Sequence, residues 1–450
     1  MGRLFGTDGA RGIAITELTC EMAMNIGRAA ALVLTKTTNH KPVILVGKDT
    51  RISSDILESA LVAGMCSVGA DAHILGVVPT PAVAYLIKKY QADAGVMISA
   101  SHNSVEFNGI KLFADTGFKL SDEIENEIER IILDNPEEMK LVDGIDVGRI
   151  SYEKNAEWDY VRYIMKSIDG DLRDIRVAID CANGSASSTA VKLFRGLSAT
   201  CVFINNEPDG TNINKDCGST HMEQLSQAVI DHKCNIGLAF DGDADRCLVV
   251  DENGKLIDGD KMIAIFAQYM KKTKKLKHNA VVVTVMSNLG FFKFAKGNNI
   301  VVSRAGVGDR YVLEEMQKGG YNLGGEQSGH IIFLDEATTG DGQLSGVKLL
   351  DILAHTTLKM SELSQIMQAY PQVLVNIKIT AEQKGQWQNN PKIIETIDYF
   401  TQKLGDEGRI LVRESGTEPL VRIMLEGKIQ GQIEEYAQTI ANVIREGCPE

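Results

Sequence analysis

The chain has 450 residues, 44% of them hydrophobic and 24% charged, with 47 basic against 60 acidic side chains and a formal charge of −13. This is a globular balance too long for one compact core, so three or four domains are expected. The negative charge argues against a nucleic-acid or acidic-membrane partner, though not against a small anion held by a few local arginines.

The eight cysteines are scattered without a CxxC pair, and no apolar run is long enough to span a bilayer. The opening MGRLFGTDGARG also lacks the apolar stretch of an export leader. Reduced cysteines and a cytoplasmic location are the expectation.

Short β-branched runs alternate with amphipathic segments. Residues 42–47 (PVILVG) read as a strand, 53–67 as a helix, 71–75 as a strand, 81–90 as a helix and 95–99 (GVMIS) as a buried strand. A polar stretch at 134–146 reads as a linker. The pattern then restarts with a helix at 156–168, strands at 176–180 and 200–204, a helix at 222–232 and a strand at 235–240. A third restart near Asp260 gives a helix to Lys272, a strand at 280–285 (AVVVTV), a helix at 307–318 and the run 321–325. Lys271–Lys277 (KKTKKLK) reads as a solvated helix end. The last eighty or so residues differ: a strand at 373–379, a helix at 392–404, adjacent strands at 409–413 and 420–425, and a closing helix at 432–445. The reading is three βαβ-rich units, compatible with a degenerate triplication, and an α+β terminal domain.

Ligands of open α/β sheets bind beyond the carboxyl ends of the strands, so the residues that follow each strand are the ones to inspect. Four polar loops stand there: Ala100-Ser101-His102-Asn103, Asp241-Gly242-Asp243-Ala244-Asp245-Arg246, Glu326-Gln327-Ser328-Gly329-His330, and Arg413-Glu414-Ser415-Gly416-Thr417-Glu418. The aspartate triplet is the most specific of them, because three carboxylates at alternate positions can converge on one hard divalent cation such as Mg²⁺. An EF-hand would also begin D-x-D-x-D and end on Glu252, but Arg246 stands where it needs glycine and a strand follows (CLVV). Ser101 alone reads as a turn or helix cap, and it gains interest from His102, Asn103 and Lys111. RESGTEPLVR offers Arg413, Arg422, two hydroxyls and turn amides that suit a phosphate dianion, against the plain reading of a hairpin turn. Arg11 lies in a second glycine-rich turn, and His330 alone would be an ordinary structural histidine. No GxSxG elbow, GxxxxGK[ST] loop or GxGxxG fingerprint occurs.

Taken together, GTDGARG, SASHN, DGDADR, GEQSGH and RESGTEP resemble, in order and spacing, the motifs of the α-D-phosphohexomutase family over nearly the whole chain. The resemblance implies an α/β fold: three similar α/β domains with mainly parallel mixed sheets, plus a C-terminal α+β domain, around a central cleft. The corresponding boundaries are 1–150 with the phosphoserine loop, 151–256 with the metal loop, 257–368 with the sugar loop, and 369–450 for phosphate binding. GEQSGH with Gln327, Gly416, TVMSNLG at 284–290 and TPAVAYL at 80–86 resemble the phosphoglucosamine mutase branch. Phosphomannomutase or phosphoglucomutase activity is the alternative. One departure is Ser104, where most members have proline.

By resemblance, Ser101 carries the phosphoryl group as phosphoserine. One Mg²⁺ is held by Asp241, Asp243, Asp245 and a phosphoryl oxygen on Ser101. Arg11 and Arg246 stabilise charge, and Lys111 acts as general acid/base with His102 in support. Glu326, Ser328 and His330 hold the sugar, while Arg413, Ser415, Gly416, Thr417 and Arg422 clamp the distal phosphate. The implied reaction interconverts glucosamine 6-phosphate and glucosamine 1-phosphate through a hexose 1,6-bisphosphate that is both intermediate and activator. It would feed UDP-N-acetylglucosamine and peptidoglycan precursors. The implied partner is a small phosphosugar, with no nucleic acid and no membrane, and a homodimer is compatible with the branch. A sugar-phosphate phosphatase and a non-enzymatic sensor on the same scaffold are the other classes. The distal clamp argues against the first, and the intact Ser101, Lys111 and aspartates argue against the second.

Overall fold

The computed structural model describes residues 3–6, 8–36, 38–380, 385, 387–414 and 420–447. They form two compact units, Met1–Met286 with Asn299–Ile366, and Ser287–Asn298 with Met367–Glu450.

In the first unit the leading sheet contains β1 (Phe5–Gly6), β2 (Gly9–Ile13), β3 (Val43–Lys48), β4 (Asp71–Val77), β5 (Ala94–Ile98), β6 (Phe107–Ala114) and β7 (Ile150–Tyr152), ordered β1-β2-β6-β5-β3-β4-β7. The second sheet holds β8 (Arg176–Asp180), β9 (Thr200–Ile204), β10 (Ile236–Phe240), β11 (Cys247–Asp251) and β12 (Leu256–Ile257), ordered β12-β11-β10-β8-β9. The third holds β13 (Ala280–Thr284), β14 (Val301–Ala305), β15 (Leu323–Gly325) and β16 (Ile331–Phe333), ordered β14-β13-β15-β16.

The three sheets share one plan. Each has a strand, a helix, a parallel strand, a second helix, a strand parallel to the first on its other side, and a final antiparallel strand hairpinned onto the last. The parallel strands are apolar runs because helices cover both faces. All of β5, β10 and β13 is buried. The reversing partners β6, β11 and β16 pair antiparallel with β5, β10 and β15. The three turns inside these pairs contain Ser101, the aspartates and Glu326.

Packing explains how tightly the helices dock. Cys20–Leu34 crosses Ile52–Ser67 at Gly27 and Gly64, where an added Cβ would meet the Leu61 and Met24 carbonyl oxygens at 2.3 and 2.1 Å. Ile26, Ile44, Val46, Leu57, Leu61, Val96 and Ile110 fill the first core. The expected linker at 134–146 contains two short 3₁₀ turns, Pro136–Glu138 and Gly144–Asp146, before β7 adds to the sheet beside β4.

The second unit has an antiparallel sheet of β17 (Gln372–Lys378), β18 (Gly408–Glu414) and β19 (Leu420–Gly427), ordered β17-β19-β18. Helices Pro391–Leu404 and Gln430–Gly447 cover it, and Ile377, Ile393, Val421, Ile423, Leu425, Ile433 and Ile440 form its core. The helix Leu289–Gly297 lies between β13 and β14 in sequence but belongs to this unit. Asn288 and Tyr370 exchange two 2.9 Å hydrogen bonds there, and the Leu289 amide donates to Glu426 Oε2 at 3.0 Å.

Candidate active site

The turn between β5 and β6 carries Ser101, which adopts φ 52°, in the left-handed region that a non-glycine residue enters only when its surroundings hold it there. Its hydroxyl, 1% exposed, donates to Asp241 Oδ2 at 2.5 Å. Asp241 opens the hairpin turn of the second sheet, directly after β10, so the pairing joins the reversing turns of two repeats. Gly242 allows the approach, since an added Cβ would lie 2.4 Å from the Ser101 carbonyl oxygen.

Asp241, Asp243 and Asp245 are all buried, and one carboxylate oxygen from each lies within 4.8 Å of the others. Burial and then the Asp245 and Asp243 charges push the Asp241 carboxyl well above its ordinary range. Asp243 Oδ1 and Asp245 Oδ1 are buried and accept no hydrogen bond. Three converging carboxylates with two unused oxygens fit a hard divalent cation, and such an ion would relieve the repulsion that lifts Asp241.

The cations stand around this cluster. Lys111 on β6 is 1% exposed, with Nζ 2.7 Å from Asp243 Oδ2, 3.2 Å from Asp8 and 3.6 Å from Asp245. Burial opposes its charge, but the three carboxylates outweigh burial and hold it as ammonium, its pKa raised. Arg246 donates its backbone amide to Asp241 Oδ1 at 3.2 Å, and its Nη1 lies 3.2 Å from His102 Nδ1. Burial, then Arg246 and Arg11, push the His102 imidazole down to about 4, so it is neutral at pH 7, with Nδ1 3.4 Å from Ser101 Oγ. Arg11 on β2 lies opposite Gly109 of β6, is paired with Asp8, and reaches toward Asn103.

The third turn supplies Glu326, Ser328 and His330. Glu326 Oε1 accepts the Gly308 amide at 3.1 Å, and the Ser328 hydroxyl, although buried, has no hydrogen-bond partner. His330 accepts the Gly340 amide at Nε2 (3.0 Å), which leaves Nδ1 toward Asp245 at 3.6 Å. Burial lowers its pKa, but Asp245 and Asp309 outweigh that and raise it overall. Gln327 is turned away, with its amide donating to Asp258 Oδ2 at 3.1 Å. The first unit therefore brings together Ser101, His102, Lys111, Arg11, the three aspartates, Arg246 and His330, with Glu326 and Ser328 in the adjoining turn.

In the second unit Arg413 of β18 stands directly across from Arg422 of β19. Burial and then the like charge of Arg422 lower the Arg413 pKa. Ser415, Gly416 and Thr417 lie outside the described residues.

Comparison with known proteins accords with this geometry. Four successive family models match: phosphoglucomutase/phosphomannomutase alpha/beta/alpha domain I at residues 2–139, domain II at 158–254, domain III at 258–370, and the C-terminal domain at 374–443. The phosphoglucosamine mutase of Acetivibrio thermocellus is 54% identical over 446 residues, and that of Clostridium novyi 55% over 446, covering 99% of both chains in each case. The chain belongs to the α-D-phosphohexomutase family, in its phosphoglucosamine mutase branch.

Solved members of this family share the fold. A phosphoglucomutase/phosphomannomutase family protein from Burkholderia thailandensis matches with TM-score 0.83 at 23% identity, covering 99% of this chain and 98% of that one. The Aspergillus fumigatus N-acetylphosphoglucosamine mutase, solved with GlcNAc-6P and magnesium, matches with TM-score 0.68 at 17% identity, covering 99% and 96%. Phosphohexomutases are isomerases that act as intramolecular phosphotransferases, and this chain is an enzyme of that class.

Several site residues escaped the sequence reading. Asp8 binds Arg11, Lys111 and Lys119 together. Burial works to raise its pKa, but those three cations hold its carboxyl well below the usual range. Lys119 also reaches Asp309 at 2.5 Å, which ties the first repeat to the third. Thr80 donates its hydroxyl to Asp243 Oδ2 at 2.6 Å and its amide to the Asp243 carbonyl at 2.9 Å. Asp8 lies within GTDGARG, and Asp49, Thr50 and Arg51 follow β3 as Ser101 follows β5. Reading every strand end, not only the four most polar, would have found them.

Proposed function

We propose that the chain is a phosphoglucosamine mutase, interconverting glucosamine 6-phosphate and glucosamine 1-phosphate with Ser101 as phosphoryl carrier. The observation that carries this reading is the 2.5 Å contact between the Ser101 hydroxyl and Asp241, inside a buried triplet of carboxylates. The names of full-length relatives at 54–55% identity support the amino sugar.

Asp241, Asp243, Asp245 and a phosphoryl oxygen on Ser101 would hold Mg²⁺. When bound, it would neutralise charge on the transferring phosphoryl group. Phosphoserine 101 gives its phosphoryl group to O1 of glucosamine 6-phosphate: the Ser101 Oγ–P bond breaks, the O1–P bond forms, and the O1 proton is lost as Oγ regains one. Lys111, kept as ammonium, is suited to hand a proton to a departing oxygen. Neutral His102 is suited to take one up. Arg11 and Arg246 balance charge on the phosphoryl oxygens. The 1,6-bisphosphate then reverses, Ser101 Oγ takes the phosphoryl group from O6, and glucosamine 1-phosphate leaves.

Either end of the sugar must reach Ser101, so the other end needs its own anchor. Arg413 and Arg422, with Ser415, Gly416 and Thr417, are assigned to the distal phosphate. Glu326, Ser328 and His330 are assigned to the sugar hydroxyls. Water must be kept from the phosphoserine for its phosphoryl group to pass to the sugar rather than be released as inorganic phosphate.

Peptide mass spectrometry of the purified enzyme tests the carrier, and kcat/KM for the 1-phosphates of glucosamine, glucose and mannose tests the sugar. Phosphate on Ser101 and a preference for glucosamine are expected. Activity surviving Ser101→Ala overturns the mechanism, and a preference for mannose overturns the substrate. Steady phosphate release without isomer would indicate a phosphatase.

A further inference from the structure

The serine loop is held from below by two side chains that make no contact with the Ser101 hydroxyl. Arg51 and Asp49 form an ion pair with no side-chain exposure, Nε to Oδ2 at 2.9 Å. The rest of the Arg51 guanidinium is spent on backbone. Nη2 donates to the carbonyls of Ser101 (3.0 Å) and Asn103 (2.8 Å), and Nη1 donates to that of Ser104 (2.5 Å). Asn214, from the second repeat, donates Nδ2 to the same Ser101 and Asn103 carbonyls at 2.8 and 2.9 Å. Asp49 completes the frame. It accepts the Ser99 hydroxyl at 2.6 Å, and Ser99 Oγ in turn accepts the Ser101 amide at 3.0 Å.

These contacts fix both peptide groups of a residue that sits at φ 52°. A serine there is strained by of order 1–3 kcal/mol and keeps the conformation only if the surroundings over-determine it. A planar guanidinium can serve one carboxylate and three carbonyls at once. A lysine ammonium has three donors on a single atom and cannot span them. The loop has Ser104 where proline would have stiffened it, and the Arg51 bond to the Ser104 carbonyl supplies a tether at that position.

We propose that Arg51 and Asn214 are positioning residues for phosphoryl transfer. They hold the Ser101 backbone so that Oγ returns to the same place against Asp241 for each of the two transfers, while the sugar bisphosphate reverses. Asn214 comes from the repeat that carries the aspartates, so the serine is registered directly on the domain it must face. This rests on Ser101 being the phosphoryl carrier. A loosened loop would leave the phosphoryl group on serine longer before it meets the sugar, and water would capture more of it.

The test uses full-length enzyme phosphorylated with glucose 1,6-bisphosphate, in wild-type, Arg51→Lys and Asn214→Ala forms. Phosphate at Ser101 is located by peptide mass spectrometry. Single-turnover transfer to glucosamine 6-phosphate and release of inorganic phosphate are then followed together, beside the thermal midpoint. Transfer should slow about 10- to 100-fold in each variant, as expected for sub-ångström to ångström misplacement, with KM little changed. The fraction of phosphoryl group lost to water should rise severalfold. A purely structural role would lower the midpoint and the active fraction but leave that partition as in wild type, and this result overturns the proposal. So does wild-type transfer by either variant. Asn214→Ala removes one neutral amide and keeps the test alive should Arg51→Lys fail to fold. Wild-type enzyme without phosphate on Ser101 would instead sink the carrier assignment itself.

Discussion

A methyl group on Gly242 would lie 2.4 Å from the carbonyl oxygen of Ser101. The two loops touch through bare backbone, and the same methyl would also lie 2.9 Å from both Asn214 Nδ2 and Ile213 Cδ1. Gly242→Ala must therefore push the serine loop off the aspartates. The expected result is a fall in kcat of about 100-fold or more, with the secondary structure retained by circular dichroism. Wild-type turnover in that variant would mean the two loops need not touch.

The aspartate triplet should behave as one unit. Chelation with EDTA is expected to abolish turnover and Mg²⁺ to restore it. Asp243→Asn should raise the Mg²⁺ concentration needed for half-activity by at least about 10-fold, since each ligand is buried and shared. Titration calorimetry on the enzyme measures the same loss without relying on turnover.

Lys111 is surrounded by Asp243, Asp8 and Asp245 and fully buried. Lys111→Met leaves those carboxylates without their central cation. A cost of about 3–5 kcal/mol is expected, seen as a drop of several degrees in Tm together with loss of activity. Lys111→Arg should recover part of the stability but not the proton transfer.

Asp341 gives a pH signature away from the chemistry. It caps the helix Gly342–Ala354 by accepting the Leu344 amide at 2.9 Å, and Tyr160 donates to the same oxygen at 2.8 Å. Its other oxygen has no partner, and burial pushes the carboxyl up to about 7. The folded state therefore holds a proton that the unfolded chain releases near pH 4. Stability from this group is complete below pH 4 and is lost as pH rises to about 7. Asp341→Asn should match wild type at or below about pH 4 and be more stable at pH 8 by on the order of a few kcal/mol, with a higher Tm there. An equal Tm difference at both pH values would show that Asp341 does not titrate there.

Much of this fold was legible because buried parallel strands are apolar runs of a few residues with polar loops at their carboxyl ends. GVMIS, NIGLAF and AVVVTV stood out for that reason, and Ser101 and the aspartates followed from them. The return strands were harder. Phe107–Ala114 mixes Asn, Gly and Lys with apolar residues, because one position carries a site group and another is a close backbone approach. Arg51 stands at a strand end, but its burial there, like the role of Asn214, was not legible. A charged residue at a helix start reads as solvated surface, and only the pairing with Asp49 and the carbonyls of a loop fifty residues on account for its burial. Gln327 shows the converse: a residue inside a recognisable motif whose side chain supports the neighbouring helix cap.

The threefold strand plan, with one hairpin turn per repeat at the site, also bears on how such an enzyme can change. The residues proposed as phosphoryl carrier, metal cradle and sugar contacts stand on separate, successive pieces of chain, each closed by its own return strand. Under the proposed assignment, a substitution in the turn of the third repeat would alter which sugar is accepted while the first two repeats keep their residues. The same division means that no single repeat holds a working fragment of the site, so selection has to preserve the docking of all three even where it leaves each loop open to revision.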